Sequence, residues 1–161
     1  MRRRGTDPTR FVADAMLGSL ARKLRALGFD TTYYRTGGDQ GLLDAAVQER
    51  RVILTSDRAL AAAAGKRNVT ALLMAGRSDG DRVSAIAAAY RRMGVPLARS
   101  DPFCSLCGGE LEALRRADVA GRVPGSVERR HRAFFRCAAC DKLYWRGSHW
   151  KKLRSLARRL S

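Results

Sequence analysis

Four cysteines impose the strongest constraint on the fold. They fall as Cys104-Ser-Leu-Cys107 and Cys137-Ala-Ala-Cys140, with residues 108–136 between the pairs. Each C-x-x-C knuckle holds two thiolates on a tight turn, and two knuckles close a tetrahedral four-cysteine site. Such a site has no open position, so the Zn²⁺ it implies is structural, and its binding energy is folding energy for the segment around it. The alternative is a pair of disulfides, which belongs to oxidising compartments. The basic start MRRRGTDPTR is followed by no apolar core of a signal peptide, so the reading is a cytoplasmic protein with a zinc ribbon. The long spacer predicts a β-hairpin excursion over Leu111 to Phe135.

Upstream, short β-branched or aromatic runs alternate with helical patterns. Arg10 to Asp14 reads as a strand ending in an acid. Met16 to Gly28 puts Leu17, Leu20, Leu24 and Leu27 on one helical face, with Arg22, Lys23 and Arg25 largely off it. Phe29 to Tyr34 is a second strand. Asp39 stands at the start of a helix whose apolar residues are Leu42, Leu43, Ala46 and Val47. Arg51 to Thr55 is a third strand, Arg58 to Ala64 a helix, Asn68 to Met74 a fourth strand and Asp81 to Met93 a fourth helix. Strands separated by helices need crossovers, so the fold class is α/β, with a parallel sheet flanked by helices. The expected organisation is a basic tail over 1–9, the α/β domain over 10–98, the zinc ribbon over 99–149 and a basic C-terminal helix over 150–161.

Charge narrows the partners. Lys and Arg number 32 against 15 Asp and Glu, a net +17. A field of this sign draws polyanions, nucleic acid first. No stretch approaches 18 uninterrupted apolar residues, so no membrane partner is expected. Without a Walker loop, dinucleotide fingerprint or Ser-His-Asp order, no small-molecule organic cofactor is expected. Arg129, Arg130, Arg132 and Arg136 surround His131, Phe134 and Phe135. The terminal helix carries Lys151, Lys152 and Arg154 beside Trp150, Leu153, Leu156, Ala157 and Leu160. Basic residues interleaved with aromatics suit phosphate contact with stacking by Phe134 or Trp150. They equally suit a solvated face over a buried stripe.

Asp14 ends the first strand, Asp57 follows the third and Asp39 starts the second helix. Ligands of open parallel sheets bind outside the carboxyl ends of the strands, where these acids lie. Carboxylates gathered there repel one another unless a cation joins them, and oxygen ligands suit Mg²⁺ or Mn²⁺. Such a site hydrolyses phosphodiesters. Asp39 and Asp57 read equally as helix caps. Ser56 is placed to orient Asp57 or a water.

Phe11-Val-Ala-Asp-Ala-Met-Leu-Gly-Ser-Leu-Ala-Arg-Lys-Leu-Arg-Ala-Leu-Gly-Phe-Asp-Thr31 resembles the opening of the Mut-seven C-terminal ribonuclease domain. Arg51-Val-Ile-Leu-Thr-Ser-Asp57 resembles its third-strand motif. Arg136-Cys137 through Cys140, with Tyr144-Trp-Arg-Gly-Ser-His149, resembles its closing signature. The resemblance implies a PIN-like nuclease with a zinc ribbon, cleaving single-stranded RNA, with Asp14, Asp39 and Asp57 as metal ligands. PIN nucleases generally add a fourth acid; Asp79 or Asp81, after the fourth strand, is the nearest candidate, and Asp81 equally reads as a cap. Phe103 and Gly108 stand where the family usually has Arg and Asn.

The expected function is a Mg²⁺- or Mn²⁺-dependent ribonuclease acting on single-stranded or structured RNA. The alternatives are a non-catalytic RNA-binding or ribosome-associated zinc-ribbon protein and, ranked lower, a ribonuclease toxin.

Overall fold

A computed structural model describes residues 8–160. Arg2, Arg3 and Arg4 of the expected basic tail lie outside the described residues. Four strands form one parallel sheet: β1 (Arg10–Ala13), β2 (Asp30–Tyr33), β3 (Val52–Thr55) and β4 (Ala71–Leu73), in the order β2-β1-β3-β4. The helices between and after them are α1 (Gly18–Ala26), α2 (Gly38–Glu49), α3 (Arg58–Lys66) and α4 (Asp79–Met93).

The pleat explains the two-sided core. Successive strand residues point to opposite faces, and Phe11, Val12 and Ala13 are all fully buried. Phe11, Ala13 and Leu54 meet Leu20 and Leu24 of α1 and Val83, Ile86 and Tyr90 of α4. Val12 and Ile53 meet Leu42, Leu43 and Ala46 of α2 and Leu60 and Ala64 of α3 on the other face. The sheet is thus parallel and covered on both faces. Because β1 lies between β2 and β3, the winding reverses there and opens a crevice at the carboxyl ends of β1 and β3.

The expected helix from Met16 to Gly28 is interrupted at its start. Asp14 accepts from the Met16 amide and caps a 3-10 turn over Ala15–Leu17, after which α1 begins. Gly28 follows α1 with φ +93°, and its carbonyl accepts the Ser100 amide at 2.8 Å. Its bare Cα lets the segment after α4 dock against the end of α1.

The cysteine region departs from a plain hairpin excursion. An antiparallel sheet forms from β5 (Leu111–Leu114), β6 (Phe134–Cys137) and β7 (Leu143–Trp145). Between β5 and β6 the chain makes a 3-10 turn over Arg116–Val119 and a helix, α5 (Gly125–Arg130). These close a small core of Val119, Val123 and Phe134. The last helix, α6 (Ser148–Arg158), starts two residues before Trp150, and Leu153, Leu156, Ala157 and Leu160 pack against the core shared by α1 and α4. No helix among the described residues is long and apolar enough to cross a membrane.

Candidate functional site

The crevice between β1 and β3 is organised by Thr55, which is fully buried. Its hydroxyl donates to Asp14 Oδ2 and accepts the Asp57 amide at 2.9 Å. Asp14 Oδ2 also accepts the Ser56 amide at 3.3 Å, and Oδ1 accepts the Met16 amide at 2.9 Å. Asp14 is 9% exposed, with its orientation fixed from two chain segments. Asp57 caps α3: Oδ1 accepts from the amides of Ala59 at 2.7 Å and Leu60 at 3.3 Å. Ser56 turns its hydroxyl to the Met74 carbonyl at 3.1 Å rather than toward Asp57. Asp39 lies exposed in the first turn of α2, whose N-cap is Gly37, so Asp39 is not that helix's cap.

Ion pairing separates these acids from their neighbours. Between residues 8 and 98, Asp30, Asp44, Glu49, Asp79 and Asp81 each lie within 4.0 Å of an arginine or lysine nitrogen. Among the described residues, Asp14, Asp39 and Asp57 have no such partner. In an arginine-rich chain these three carboxylates, which follow β1, β2 and β3 in chain order, stand without a close ion pair among the described residues.

The two candidates for a fourth acid have other work. Asp79 Oδ2 accepts from Lys23 Nζ at 2.5 Å and Ser19 Oγ at 2.7 Å, and Oδ1 from Arg82 at 3.1 Å, clamping α1 to α4. Burial by itself would raise its pKa, but these donors outweigh it and hold the carboxyl below its ordinary range. Asp81 closes a capping box with Ser78 at the start of α4.

The four cysteines converge. All are free, and their sulfurs lie within 4.8 Å of one another. Cys104 and Cys140 are 3.6 Å apart, Cys107 and Cys137 3.4 Å. A tetrahedron with metal–sulfur bonds of about 2.3 Å has edges of about 3.8 Å, whereas disulfide sulfurs lie about 2.05 Å apart. The cluster therefore fits a metal such as zinc and does not fit disulfides. The amides of Gly109, Ala139 and Cys140 point at the cysteine sulfurs at 3.4 Å. The Tyr144 hydroxyl lies 3.0 Å from Cys104 Sγ. Burial opposes ionisation of Cys104, but donation from Tyr144 and nearby amides brings its thiol down to about 6.

One residue missed by pattern reading joins the two regions. Arg25 of α1 is only 6% exposed. It donates through Nε to the Thr31 carbonyl at 2.7 Å and through one terminal nitrogen to the carbonyls of Leu106 at 2.9 Å and Ser105 at 3.3 Å. Periodicity placed it largely off the apolar face, and no local signal marks its partners in the knuckle, which lie about eighty residues along the chain. Thr55 and Tyr144 lie within the third-strand and closing motifs, but their hydrogen-bonding roles emerge only from tertiary geometry.

The expected RNA-contact residues divide. Arg129, Arg130 and Arg132 are exposed around the end of α5, and Lys151, Lys152 and Arg154 are exposed on α6. Arg136 is tied to Glu112 at 2.9 Å and lies 3.7 Å from Asp141. Phe134 is 1% exposed and forms the ribbon's core, which corrects its reading as a stacking residue: β6 turns it inward onto Val119 and Val123. Trp150 is partly buried, with the Arg146 guanidinium 5.2 Å from its ring centroid. His131 follows α5, and His149 is exposed in the first turn of α6.

No curated protein and no solved structure matches the chain. A family model described as the Mut7-C RNAse domain matches residues 9–157, nearly the whole chain, through the acidic crevice, the cysteine cluster and most of α6. The chain therefore belongs to the Mut7-C RNAse domain family.

Proposed function

We propose that this protein is a Mg²⁺- or Mn²⁺-dependent ribonuclease of PIN-like architecture, working at the carboxyl ends of β1 and β3. Its family ties it to RNA. The observation that carries the reading is the ion-pair pattern. Of the acids between residues 8 and 98, only Asp14, Asp39 and Asp57 lack a basic partner among the described residues. Hard carboxylate oxygens without a protein counter-charge suit a divalent cation. A bound Mg²⁺ or Mn²⁺ supplies charge neutralisation and water activation for in-line phosphodiester hydrolysis.

The chain's own residues prepare that site. Thr55 and the amides of Ser56 and Met16 fix the Asp14 carboxylate, so no rotamer search precedes ligand capture. Two helix amides fix Asp57 through Oδ1, leaving Oδ2 without a hydrogen bond among the described residues. Asp39, at the start of α2, supplies a third carboxylate free of ion pairs. The cysteine cluster holds a structural Zn²⁺, consistent with a reducing, cytoplasmic setting. Arg129, Arg130, Arg132, Lys151, Lys152 and Arg154 add exposed basic surface for RNA phosphates.

The test is Mn²⁺-dependent cleavage of single-stranded and structured RNA. Loss of several kcal/mol of charge stabilisation corresponds to about a hundredfold or more in rate. Asp14→Asn and Asp57→Asn should each show that loss. Wild-type rates from both variants would remove the reading.

A second reading, RNA binding without cleavage, is favoured by one observation. Among the described residues no three carboxylates bring their oxygens within 4.8 Å of one another. It predicts RNA binding with no metal-dependent products.

A further inference from the structure

A cleft of about 330 Å³ opens between α1, the carboxyl end of β2 and the first cysteine knuckle. Its lining is Arg22, Arg25, Tyr33, Arg35, Leu106 and Cys107. No carboxylate lines it, and the anionic group on its wall is the Cys107 thiolate, which offsets the buried Arg25. Arg22 and Arg35 have no such counter-charge, so a further anion would relieve their repulsion.

The three arginines differ in how they are held. Arg25 is fixed by carbonyls on both sides of the cleft, so its charge is anchored there. Arg22 and Arg35 are exposed and have no ion-pair or hydrogen-bond partner among the described residues. Their neighbour Lys23 is neutralised by Asp79 and Arg51 by Asp30 and Glu49. One anchored charge and two free ones suit a run of phosphates better than a single buried anion.

The cleft also leads toward the acids. Tyr33 stands on its wall and donates its hydroxyl to the Ala15 carbonyl at 2.7 Å, the residue directly after Asp14. Gly18 leaves room for the ring, since a Cβ there would come within 2.9 Å of it. Beside Asp14, Met16 is 83% exposed, and Leu106 on the knuckle is 50% exposed. Leu106 lines the cleft and Met16 stands two residues after Asp14, so apolar surface for unpaired bases is offered in the cleft and beside the acid.

We propose that this cleft binds the phosphodiester backbone of single-stranded RNA and leads the strand to the crevice of Asp14 and Asp57. The inference rests on the reading of RNA as the protein's ligand. It assigns the knuckle a second task, as one wall of the channel rather than only a metal staple.

The experiment titrates the zinc-loaded protein into a fluorescein-labelled oligouridylate without Mg²⁺ or Mn²⁺, at several salt concentrations. The variants are Arg22→Ala/Arg35→Ala and Arg22→Lys/Arg35→Lys. The charge-matched control is Arg92→Ala/Arg116→Ala, two exposed arginines elsewhere. Each lost single-strand phosphate contact lowers the log–log salt slope by about 0.7, so the alanine pair should lower it by about 1.4. If affinities converge near 1 M salt, binding at about 0.1 M falls roughly 25-fold. The lysine pair should recover most of that loss, and the control should bind as wild type. Melting temperatures matched to wild type establish that the variants fold. Wild-type affinity in the alanine pair, or an equal loss in the control, overturns the proposal. Because binding is read without a catalytic cation, RNA that binds but is never cleaved removes the nuclease reading and leaves the cleft standing.

Discussion

The Arg25 guanidinium and the Leu106 carbonyl are 2.9 Å apart, and through this bond the first helix of the α/β unit grips the tip of the first cysteine knuckle. The same side chain satisfies Ser105 and Thr31, and the Phe103 amide returns a bond to the Arg25 carbonyl at 2.9 Å. The two regions therefore share a buried polar joint.

Arg25→Met should expose the value of that joint. It keeps an unbranched stem but leaves three carbonyls without their donor. Each unsatisfied buried group costs about 1–3 kcal/mol, part of which water recovers, so the expected loss is about 3 kcal/mol. Arg25→Lys should fall in between, because an ammonium cannot reproduce the fork. Urea denaturation of the zinc-loaded protein measures both; wild-type stability in Arg25→Met would refute the joint.

Thr55→Val tests the link between the two acids. The substitution keeps shape and strand propensity but removes the hydroxyl that bonds Asp14 and the Asp57 amide. A loss of about 1–3 kcal/mol is expected. Metal-dependent cleavage should also fall, and Thr55→Ser should restore it. Cleavage undiminished in Thr55→Val would show that Asp14 needs no such positioning.

Asp79 predicts an acid-side dependence. Despite burial, its donors keep the folded-state pKa below that of the unfolded chain. Its contribution is therefore complete above the unfolded value of about 4 and is lost as pH falls through the lower folded value. Asp79→Asn should destabilise at neutral pH by roughly 1–3 kcal/mol. Its deficit should shrink below about pH 4. A deficit that stays constant from about pH 7 to about pH 3 would contradict the assignment.

Metal content is checked directly. Purified protein should carry about one Zn²⁺ per chain, because four thiolates make one closed site. Chelation should raise hydrogen exchange across 103–147 and then at the end of α1, where Arg25 loses its anchored partners. Elemental analysis without zinc, or four thiols that titrate freely as isolated, would defeat it.

The alternation of short apolar runs with helical patterns made the parallel sheet legible, because crossover connections follow from strand–helix order alone. The cysteine cluster was legible because its spacing is local. Arg25 was not, since its burial depends on carbonyls supplied by a distant turn. The helix Gly125–Arg130 escaped notice because so few residues display no full hydrophobic period. Phe134 misled for a related reason: between basic neighbours it resembles a stacking platform, and only β6 turning inward onto Val119 and Val123 shows its burial. The acids were legible as positions at strand ends, but their lack of counter-ions emerged only once every neighbouring carboxylate had found its arginine or lysine.

Because Leu97 and the Leu153–Leu160 stripe rest on the same core, the cysteine region is topologically an insertion, tethered at both ends, rather than a bead on a tail. Doubling the length of a flexible loop raises its closure cost by only about 0.6 kcal/mol. A zinc-stripped molecule can therefore keep its two anchoring segments seated while the intervening chain loosens. A protease admitted to that loop would sever the polypeptide there and leave two anchored pieces that still travel together under native conditions.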